Sequence, residues 1–202
     1  MDFLNSIKQI QQVFERKNYT FFDRMLPYNL NLFGIRSSNS KPNKFDDLII
    51  VVYRNENLDW KIENYEATTD PGRYWMTNPM NVKGTAILVE GQYRGAFGLG
   101  LHKGYPALIQ KKALKVYRDR NRDENFDFDK ETIEEGFFGI NIHRASKLYI
   151  TNEVEKWSAG CQVIKSYEQY RDMFLPVLMQ QNIKHGNSFT YTLFNEKDFL
   201  EI

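Results

Sequence analysis

The stretch Trp157-Ser158-Ala159-Gly160-Cys161-Gln162-Val163 contains the only cysteine of the chain, and His143 lies 18 residues before Cys161. A lone cysteine cannot form an intramolecular disulfide, so its side chain serves either as a small buried apolar group or as a reactive thiol. The small residues directly before Cys161 allow a tight turn, which leaves the thiol within reach of a substrate. Backbone N–H groups of such a turn can point at a nearby oxyanion.

Length and composition favour one folded unit that is rich in aromatic side chains. The chain has 202 residues, enough for one sizeable core or one domain with appendages, and 42% of them are hydrophobic. The 15 Phe, 12 Tyr and 3 Trp suit a β-rich core and a groove with aromatic walls. The net charge of +1 indicates no long-range attraction to nucleic acid or to an anionic membrane, although local charged patches are compatible with it, and nucleic acid is not expected as a partner.

The sequence predicts neither an integral membrane segment nor a secretory signal peptide. No stretch is both apolar and long enough to cross a bilayer, and residues 1–8 (MDFLNSIK) lack a basic segment followed by an apolar run. We therefore expect a protein that is synthesised in the cytoplasm, or a mature or trimmed chain. A single cysteine fits a reducing compartment.

Hydrophobic periodicity predicts an N-terminal helix followed by a β-rich body. Apolar residues recur at helical spacing over residues 3–16, and we expect this apolar face to pack on the body of the protein, with docking to a membrane or a partner as the alternative. Elsewhere we predict strands at 47–54, 84–90, 108–118, 137–143 and 189–194, mixed strands and turns at 91–104, loops at 67–84 and 119–136, and a helix at 167–180 that bends near Pro176.

The domain organisation predicted from this pattern has two parts. Residues 1–40 are interpreted as an N-terminal helical appendage, and residues 41–202 as one β-dominated domain. No internal repeat, low-complexity tract or linker divides the second part.

The segment from His143 to Ser158-Ala159-Gly160-Cys161 resembles the active-site motif of the L,D-transpeptidase catalytic domain, the YkuD-like fold. That family pattern is a histidine, a gap of about this length, and then Ser/Thr-His-Gly-Cys. A helix and a closing strand follow the cysteine in the same order, and residues 68–72 with 84–88 resemble the turn and strand that precede the catalytic strands. In order of elements the resemblance covers roughly residues 45–195, whereas only 143–163 are specific.

The resemblance implies a mainly β (α+β) fold of packed mixed β-sheets, with an N-terminal helix and one helix after the cysteine. Three motif positions differ from the family. Ala159 replaces the histidine two residues before the cysteine, Val163 replaces the arginine two residues after it, and Arg144 replaces the small residue that commonly follows the histidine. Because such positions shape the oxyanion site and contact the donor peptide in the family, we expect a divergent branch, such as a phage-type or effector-type wall enzyme.

The resemblance and the residue types together assign Cys161 as nucleophile and His143 as base. A free thiol has a pKa of about 8.5, so a histidine within hydrogen-bond reach has to take its proton and later protonate a leaving amine. Backbone N–H groups around Gly160 and Cys161 are expected to hold the oxyanion, and the Ser158 hydroxyl to support the loop or the histidine. An activated thiol of this kind is expected to alkylate rapidly at pH 6–7, and a buried inert one is not.

Strand alternation around the proposed base predicts which neighbours face the site. Gly139, Asn141 and His143 fall on one face, and Ile140 and Ile142 fall in the core. Asn141 is therefore expected to contact substrate or to orient the imidazole.

Further candidates for substrate binding each have a structural alternative. Arg144 is expected to grip a carboxylate of a stem peptide, or to remain a surface residue. Trp157 either packs beneath the cysteine loop or forms a platform for substrate. His102 lies between glycines, which suggests a loop near a cleft, and is either a substrate-binding residue or an ordinary loop histidine. Tyr105, Tyr93 and Gln110 are further candidates for substrate binding, with the same structural alternative as His102.

Residues 119–127 place oxygen-bearing side chains at alternate positions, as in the first half of a calcium loop. The EF-hand glycine position is Glu124, and the position of the bidentate glutamate is Lys130. We therefore predict a solvated, salt-bridged hairpin, with calcium binding as the alternative. No His/Cys set has zinc spacing, and the cysteine chemistry requires neither a metal nor a cofactor.

The function that these inferences predict is cysteine-dependent acyl transfer on peptidoglycan stem peptides through a thioester. Water as acceptor gives an L,D-carboxypeptidase or endopeptidase, which we rank above an L,D-transpeptidase with an amine acceptor. Delivery to the cell wall would follow phage lysis, an injection machine or another route. The first alternative is a catalytically silent binding or structural module of a phage or wall-associated assembly. A second is a cysteine hydrolase or transferase acting on an unrelated amide.

Overall fold

The apolar run Asp47–Arg54 forms a strand, β2, that is buried on both faces. The computed structural model describes residues 6–39 and 41–200. In β2, Ile49 and Val51 belong to one apolar cluster, and Ile50 and Val52 belong to another. A strand that is covered on both faces requires a continuous apolar run, and this run is the pattern that predicts β2 from the sequence.

Eight strands form one closed, barrel-like sheet. In addition to β2 they are β1 (Asn31–Arg36), β3 (Trp60–Thr68), β5 (Gly91–His102), β6 (Tyr105–Gln110), β9 (Ile142–Arg144), β10 (Gln162–Ile164) and β11 (Phe189–Asn195). Their order is β1-β11-β5-β6-β9-β10-β3-β2, which then closes on β1. Two of the neighbouring pairs, β1 with β11 and β9 with β10, are parallel.

A smaller antiparallel sheet and several short helices complete the molecule. The small sheet has the order β4-β7-β8, with β4 at Thr85–Leu88, β7 at Leu114–Asp119 and β8 at Glu134–Gly136. The helices are α1 (Ile7–Arg16), α2 (Arg73–Thr77), a 3₁₀ turn (Lys130–Thr132), α3 (Tyr167–Gln169), a π-helical turn (Tyr170–Phe174), α4 (Leu175–His185) and α5 (Lys197–Leu200).

The apolar stripe of α1 covers the outer face of the closed sheet. Ile10, Val13 and Phe14 are buried in one cluster with Phe33 of β1 and Phe194 of β11. The Phe14 ring makes edge-on contacts with both of these rings, at centroid distances of 5.5 and 5.0 Å. The helix and its packing on the body of the protein are thereby confirmed over residues 7–16, whereas residues 3–5 of the predicted helix lie outside the described residues.

The first strand, β1, belongs to the main sheet, although the helical appendage predicted from the sequence extends to residue 40. β1 lies between β11 and β2 in the main sheet, with Phe33 opposite Ile50 and Thr192. Residues 31–36 are therefore part of the β-dominated body, although the sequence placed them in the helical appendage. The short stretch NLFGIR contains a glycine and lacks the long β-branched run that identifies β2.

The architecture is a mainly β α+β fold, as the sequence predicts. Two segments differ from expectation in detail. Of the predicted strand 137–143, only residues 142 and 143 pair as a strand, in β9 (Ile142–Arg144), because the Gln110 side chain accepts the backbone N–H groups of residues 138–140. The predicted bent helix extends to His185, and its irregularity is the π-helical turn directly before Pro176, which has no N–H to donate.

Within residues 6–39 and 41–200, no helix combines the length and the apolar character needed to cross a membrane.

Candidate active site

The parallel pairing of β9 with β10 brings the His143 and Cys161 segments together. Gln162 lies opposite Ile142 in this pair, and the Gln162 N–H donates to the Asn141 carbonyl at 2.9 Å. Cys161 directly precedes β10, so its side chain lies beside the start of β9. The predicted burial of Ile140 and Ile142 is confirmed, since both belong to the inner core.

His143 and Cys161 both line a cleft of about 760 Å³. Its walls include the aromatic side chains of Trp75, Phe137 and Trp157. A groove of this size with aromatic walls and a few convergent polar groups is typical of a binding site for a small molecule or an extended peptide segment.

The Cys161 thiol lies between two backbone groups of the segment before β9. The Asn141 N–H donates to Sγ at 3.4 Å, and Sγ lies 3.6 Å from the Gly139 carbonyl, to which the thiol donates. Burial raises the pKa of the thiol above its ordinary value, although the Asn141 N–H and the Lys103 ammonium both oppose this effect. The resting side chain is therefore a protonated thiol that requires a base.

His143 is held in the tautomer that a base requires. Its Nδ1 lies 2.8 Å from the Arg144 carbonyl, and a carbonyl only accepts, so Nδ1 carries the hydrogen. The other nitrogen, Nε2, then presents a lone pair. The side chain is 2% exposed, and this burial, together with the neighbouring His102, lowers the pKa of His143 to about 3. His143 is therefore neutral near pH 7 and able to accept a proton.

The hairpin between β5 and β6 places two candidate residues beside this base. His102 lies opposite Tyr105, and the turn residues Lys103 and Gly104 have φ values of 48° and 85°, as in a type I′ turn. The His102 ring stacks on His143, with 4.1 Å between centroids and 11° between planes. The Tyr105 hydroxyl lies 3.2 Å from His143 Nδ1 and therefore supports the same tautomer as an acceptor.

Ser158 and Gly160 form the turn that presents Cys161. Ser158 is fully buried, and its hydroxyl donates to the Cys161 carbonyl at 2.7 Å and accepts from the Gly160 N–H at 3.2 Å. Because the Gly160 N–H is occupied in this way, it is not the oxyanion donor that the sequence led us to expect. The Cys161 N–H makes no hydrogen bond to any residue that the structure describes, so it remains available for that role.

The glycine of this turn is required by both conformation and space. Gly160 has a φ of +123°, and a Cβ built there would lie 2.4 Å from the Ala86 carbonyl oxygen of β4. Behind the turn, the buried Gln162 amide donates to the Thr69 carbonyl at 3.0 Å and accepts from the Tyr191 hydroxyl at 2.8 Å. The turn is therefore fixed against both sheets.

The remaining sequence candidates take different positions. Trp157 lines the cleft while packing against the small cluster beneath the cysteine loop, so both of its expected roles are compatible with its placement.

The Arg144 guanidinium lies 4.2 Å from the Tyr105 ring centre and 5.1 Å from that of Tyr167, and it donates to the Ala145 carbonyl. Arg144 is thus braced between aromatic rings beside the base. The Tyr93 hydroxyl donates to the Val89 carbonyl at 2.5 Å.

Two contributions were underrated or missed in the sequence. Gln110 was a weak candidate, yet its Oε1 accepts three successive N–H groups, from Phe138, Gly139 and Ile140, at 2.9–3.2 Å. This cradle shapes the segment that holds the thiol. The cations Lys103 and Lys156 also line the cleft, and only the position of Lys103 next to His102 could have indicated this.

Residues 119–127 form a hydrogen-bonded loop. The Asn121 amide donates to Asp123 at 3.1 Å and to Asp127 at 2.7 Å, and the Asp127 N–H donates to the Asp119 carboxylate. The amide thus occupies the space between two of the acids. No group of three His, Cys, Asp or Glu side chains within the described part of the chain is arranged to hold a metal ion.

The fold and the geometry of the cleft are the basis for any functional assignment of this chain. Comparisons with protein-family models, with curated proteins and with solved structures found no match.

Proposed function

We propose that this protein catalyses cysteine-dependent acyl transfer on peptidoglycan stem peptides through a thioester intermediate. One observation carries the proposal: Cys161 Sγ lies between the Asn141 N–H and the Gly139 carbonyl, in the same cleft as a neutral His143 whose Nδ1–H is fixed by the Arg144 carbonyl. This arrangement supplies a nucleophile and a base with a defined lone pair.

The reaction would begin with attack of Sγ on an amide carbonyl carbon. As the S–C bond forms, the thiol proton moves to His143 Nε2, and the carbonyl oxygen becomes an oxyanion near the Cys161 N–H. Collapse of this intermediate breaks the C–N bond, and His143 returns the proton to the leaving amine. Water or a second amine then attacks the thioester, which gives hydrolysis or a cross-link respectively.

The charge of the cleft supports an acidic peptide substrate such as a peptidoglycan stem. Lys103 and Lys156 both line it, and the residues of the described chain that line it include no carboxylate. The third cation, Arg118, is paired with Glu134 at 2.9 Å. Neither lysine is paired with a carboxylate in the part of the chain that the structure describes, although Lys156 Nζ lies 4.2 Å from the Tyr74 ring centre. Both could therefore bind substrate carboxylates, while Trp75 and Trp157 offer flat apolar surfaces for the backbone between them.

The direct test is incubation of the protein with isolated muropeptides and with intact peptidoglycan, followed by mass spectrometry. The Cys161→Ala variant is the matched control. A lost terminal residue would identify a carboxypeptidase, a cut cross-link an endopeptidase, and a mass-conserving exchange a transpeptidase. We expect the hydrolytic products to dominate, with action at the cell wall after delivery by a phage, an injection machine or another route.

Absence of any Cys161-dependent product from a folded protein would contradict the proposal. That result would favour the alternative hypothesis, in which the protein is a binding or structural module of a phage or wall-associated assembly. Retained binding of muropeptides by Cys161→Ala, without turnover by the native chain, would identify that alternative.

A further inference from the structure

His102 lies in the same cleft as Cys161 but has no role in the proton transfer described above. Its ring stacks on His143 at 4.1 Å, and its Nδ1 lies 3.0 Å from the side-chain nitrogen of Asn141. A buried aromatic spacer would satisfy the stacking contact alone. The polar contact with Asn141 therefore calls for a separate explanation.

The hydrogen bonds of Asn141 determine which nitrogen of His102 carries the hydrogen. The Gln110 N–H donates to Asn141 Oδ1 at 3.0 Å, and a backbone N–H can only donate. This contact fixes the orientation of the amide, so that Nδ2 faces His102. Since Nδ2 also only donates, His102 Nδ1 is an acceptor and bears no hydrogen. A neutral His102 consequently carries its hydrogen on Nε2.

His102 is neutral for physical reasons that do not depend on Asn141. Burial and the nearby cations Lys103 and Arg144 lower its pKa below the ordinary value. The Nε2–H makes no hydrogen bond to any residue in the described part of the chain, and the side chain lines the cleft. The two stacked histidines are thus complementary: His143 offers a lone pair, and His102 offers a hydrogen.

We propose that the His102 Nε2–H donates a hydrogen bond to the oxyanion that forms when Cys161 attacks a carbonyl group. In this step the S–C bond forms, the thiol proton passes to His143 Nε2, and the carbonyl π electrons move to the oxygen. His102 keeps its hydrogen throughout and shares it with the oxyanion, together with the Cys161 N–H. This inference deepens the acyl-transfer function and rests on it only for the identity of the natural substrate.

Asn141 and Gln110 act as positioning residues for this donor. Gln110 orients the Asn141 amide through its backbone N–H, and its side chain also shapes residues 138–140 beside the thiol. Asn141 then holds His102 in the donor tautomer. A carboxylate at position 141 would still accept from the Gln110 N–H, but it would attract a hydrogen to His102 Nδ1 and leave Nε2 as an acceptor.

The tautomer is measured by long-range ¹⁵N–¹H correlation spectra of the imidazole rings at pH 8. We expect an Nε2–H pattern for His102 and an Nδ1–H pattern for His143 in the native chain. In Asn141→Asp, the His102 pattern should change to Nδ1–H, while His143 keeps its own. An Nδ1–H pattern for His102 in the native chain would overturn the inference.

The donor role is measured with two small reagents that need no peptidoglycan. Acylation of Cys161 by p-nitrophenyl acetate creates an oxyanion, whereas alkylation by iodoacetamide does not. In His102→Phe, which keeps an aromatic ring against His143, the ratio of acylation rate to alkylation rate should fall about 100-fold. Asn141→Asp should show a fall in the same direction, and Asn141→Gln, which keeps the amide chemistry, a smaller one.

An unchanged ratio in His102→Phe would refute the donor role, because stacking and thiol ionisation affect both reactions. The Cys161→Ala variant gives the background rate of reaction with each reagent. Since neither reagent resembles a stem peptide, failure of the muropeptide assay would count against the proposed function and leave this measurement intact.

Discussion

The Cys161 and His143 side chains in the cleft are both neutral at rest. Burial raises the pKa of the thiol and lowers the pKa of the imidazole to about 3, so an ion pair between them is disfavoured near pH 7. The proton then moves only as the S–C bond forms. A protonated thiol reacts slowly with iodoacetamide whether or not it is catalytic, so the rate of alkylation at pH 6–7 is the measurement that tests the expected activation of Cys161.

The buried His143 makes a specific prediction for stability at low pH. Its pKa is about 3 in the folded protein and about 6.5 in the unfolded chain, so between these values the unfolded state binds more protons. Folding stability is therefore lost as the pH falls from about 6.5, by about 1.4 kcal/mol per pH unit from this residue. Urea unfolding of the native chain and of His143→Asn at several pH values isolates the effect.

The difference in unfolding free energy between the two proteins should shrink steadily as the pH falls. Other titrating groups contribute to both curves and cancel in the difference. If the unfolding free energies of the two proteins changed in parallel between pH 6.5 and 4.5, His143 would have the same pKa in the folded and unfolded states.

At the scale of residues, the sequence identifies candidate side chains more readily than the contacts between them. The lone Cys161 and its spacing from His143 can be recognised in the sequence, and strand alternation correctly predicts the burial of Ile140 and Ile142. The hydrogen bonds from the N–H groups of residues 138–140 to Gln110 could not be predicted, because they join a side chain of β6 to residues about 30 positions later in the chain. No local pattern encodes a hydrogen bond of that range.

The turn before β10 is the element on which the position of the thiol depends. Gly160→Ala should prevent correct presentation of Cys161, since the added Cβ meets the Ala86 carbonyl at 2.4 Å and φ is +123°. We expect a loss of about 3 kcal/mol in unfolding free energy, together with a marked fall in Cys161 acylation rate. Thermal unfolding and reaction with p-nitrophenyl acetate measure the two effects.

Gly104→Ala is the matched control for this substitution. Gly104 also has a positive φ, +85°, but a Cβ there meets nothing within 4 Å. It should cost only about 1 kcal/mol, from backbone strain alone. Equal effects of the two alanines would indicate that the contact with Ala86 has no importance for the turn.

Prediction of elements succeeded where one face or two faces of an element are uniformly apolar, as in α1 and β2. It failed for β3, in which Trp60 and Ile62 pack in the outer cluster whereas Tyr65 and Ala67 pack in the inner one. The apolar positions therefore change from even to odd along one strand, which breaks the alternation that identifies strands.

For the whole molecule, closure of the sheet was beyond sequence-based reasoning. The closing pairs include β1 with β11, in which Leu32 lies opposite Tyr191 in parallel register. Contacts between residues this distant in the chain leave no local periodicity, so a mainly β class was predictable and the closed arrangement was not. The motif near Cys161 predicts a candidate site without indicating which strands surround it.

The buried Arg36 joins the two sheets across the middle of the molecule. Its guanidinium lies 2.8 Å from the Asp70 carboxylate, and it donates to the Leu88 carbonyl of β4 at 2.9 Å. Because both charged side chains are at most 7% exposed, loss of one partner leaves the other buried without compensation. Arg36 thereby connects the main sheet, through β1, with β4 of the small sheet, against which the turn of Gly160 also packs.

Arg36→Met should therefore lower the unfolding free energy by about 3–5 kcal/mol. Adding Asp70→Asn should recover part of this loss, because the buried carboxylate is then absent; a coupling of about 1–3 kcal/mol is expected. Arg73→Met, which breaks an exposed pair with Glu155, is the control and should have a much smaller effect. Urea unfolding of the four variants and the native chain measures these effects. Strictly additive losses from Arg36→Met and Asp70→Asn would show that the ion pair between the two residues contributes nothing to stability.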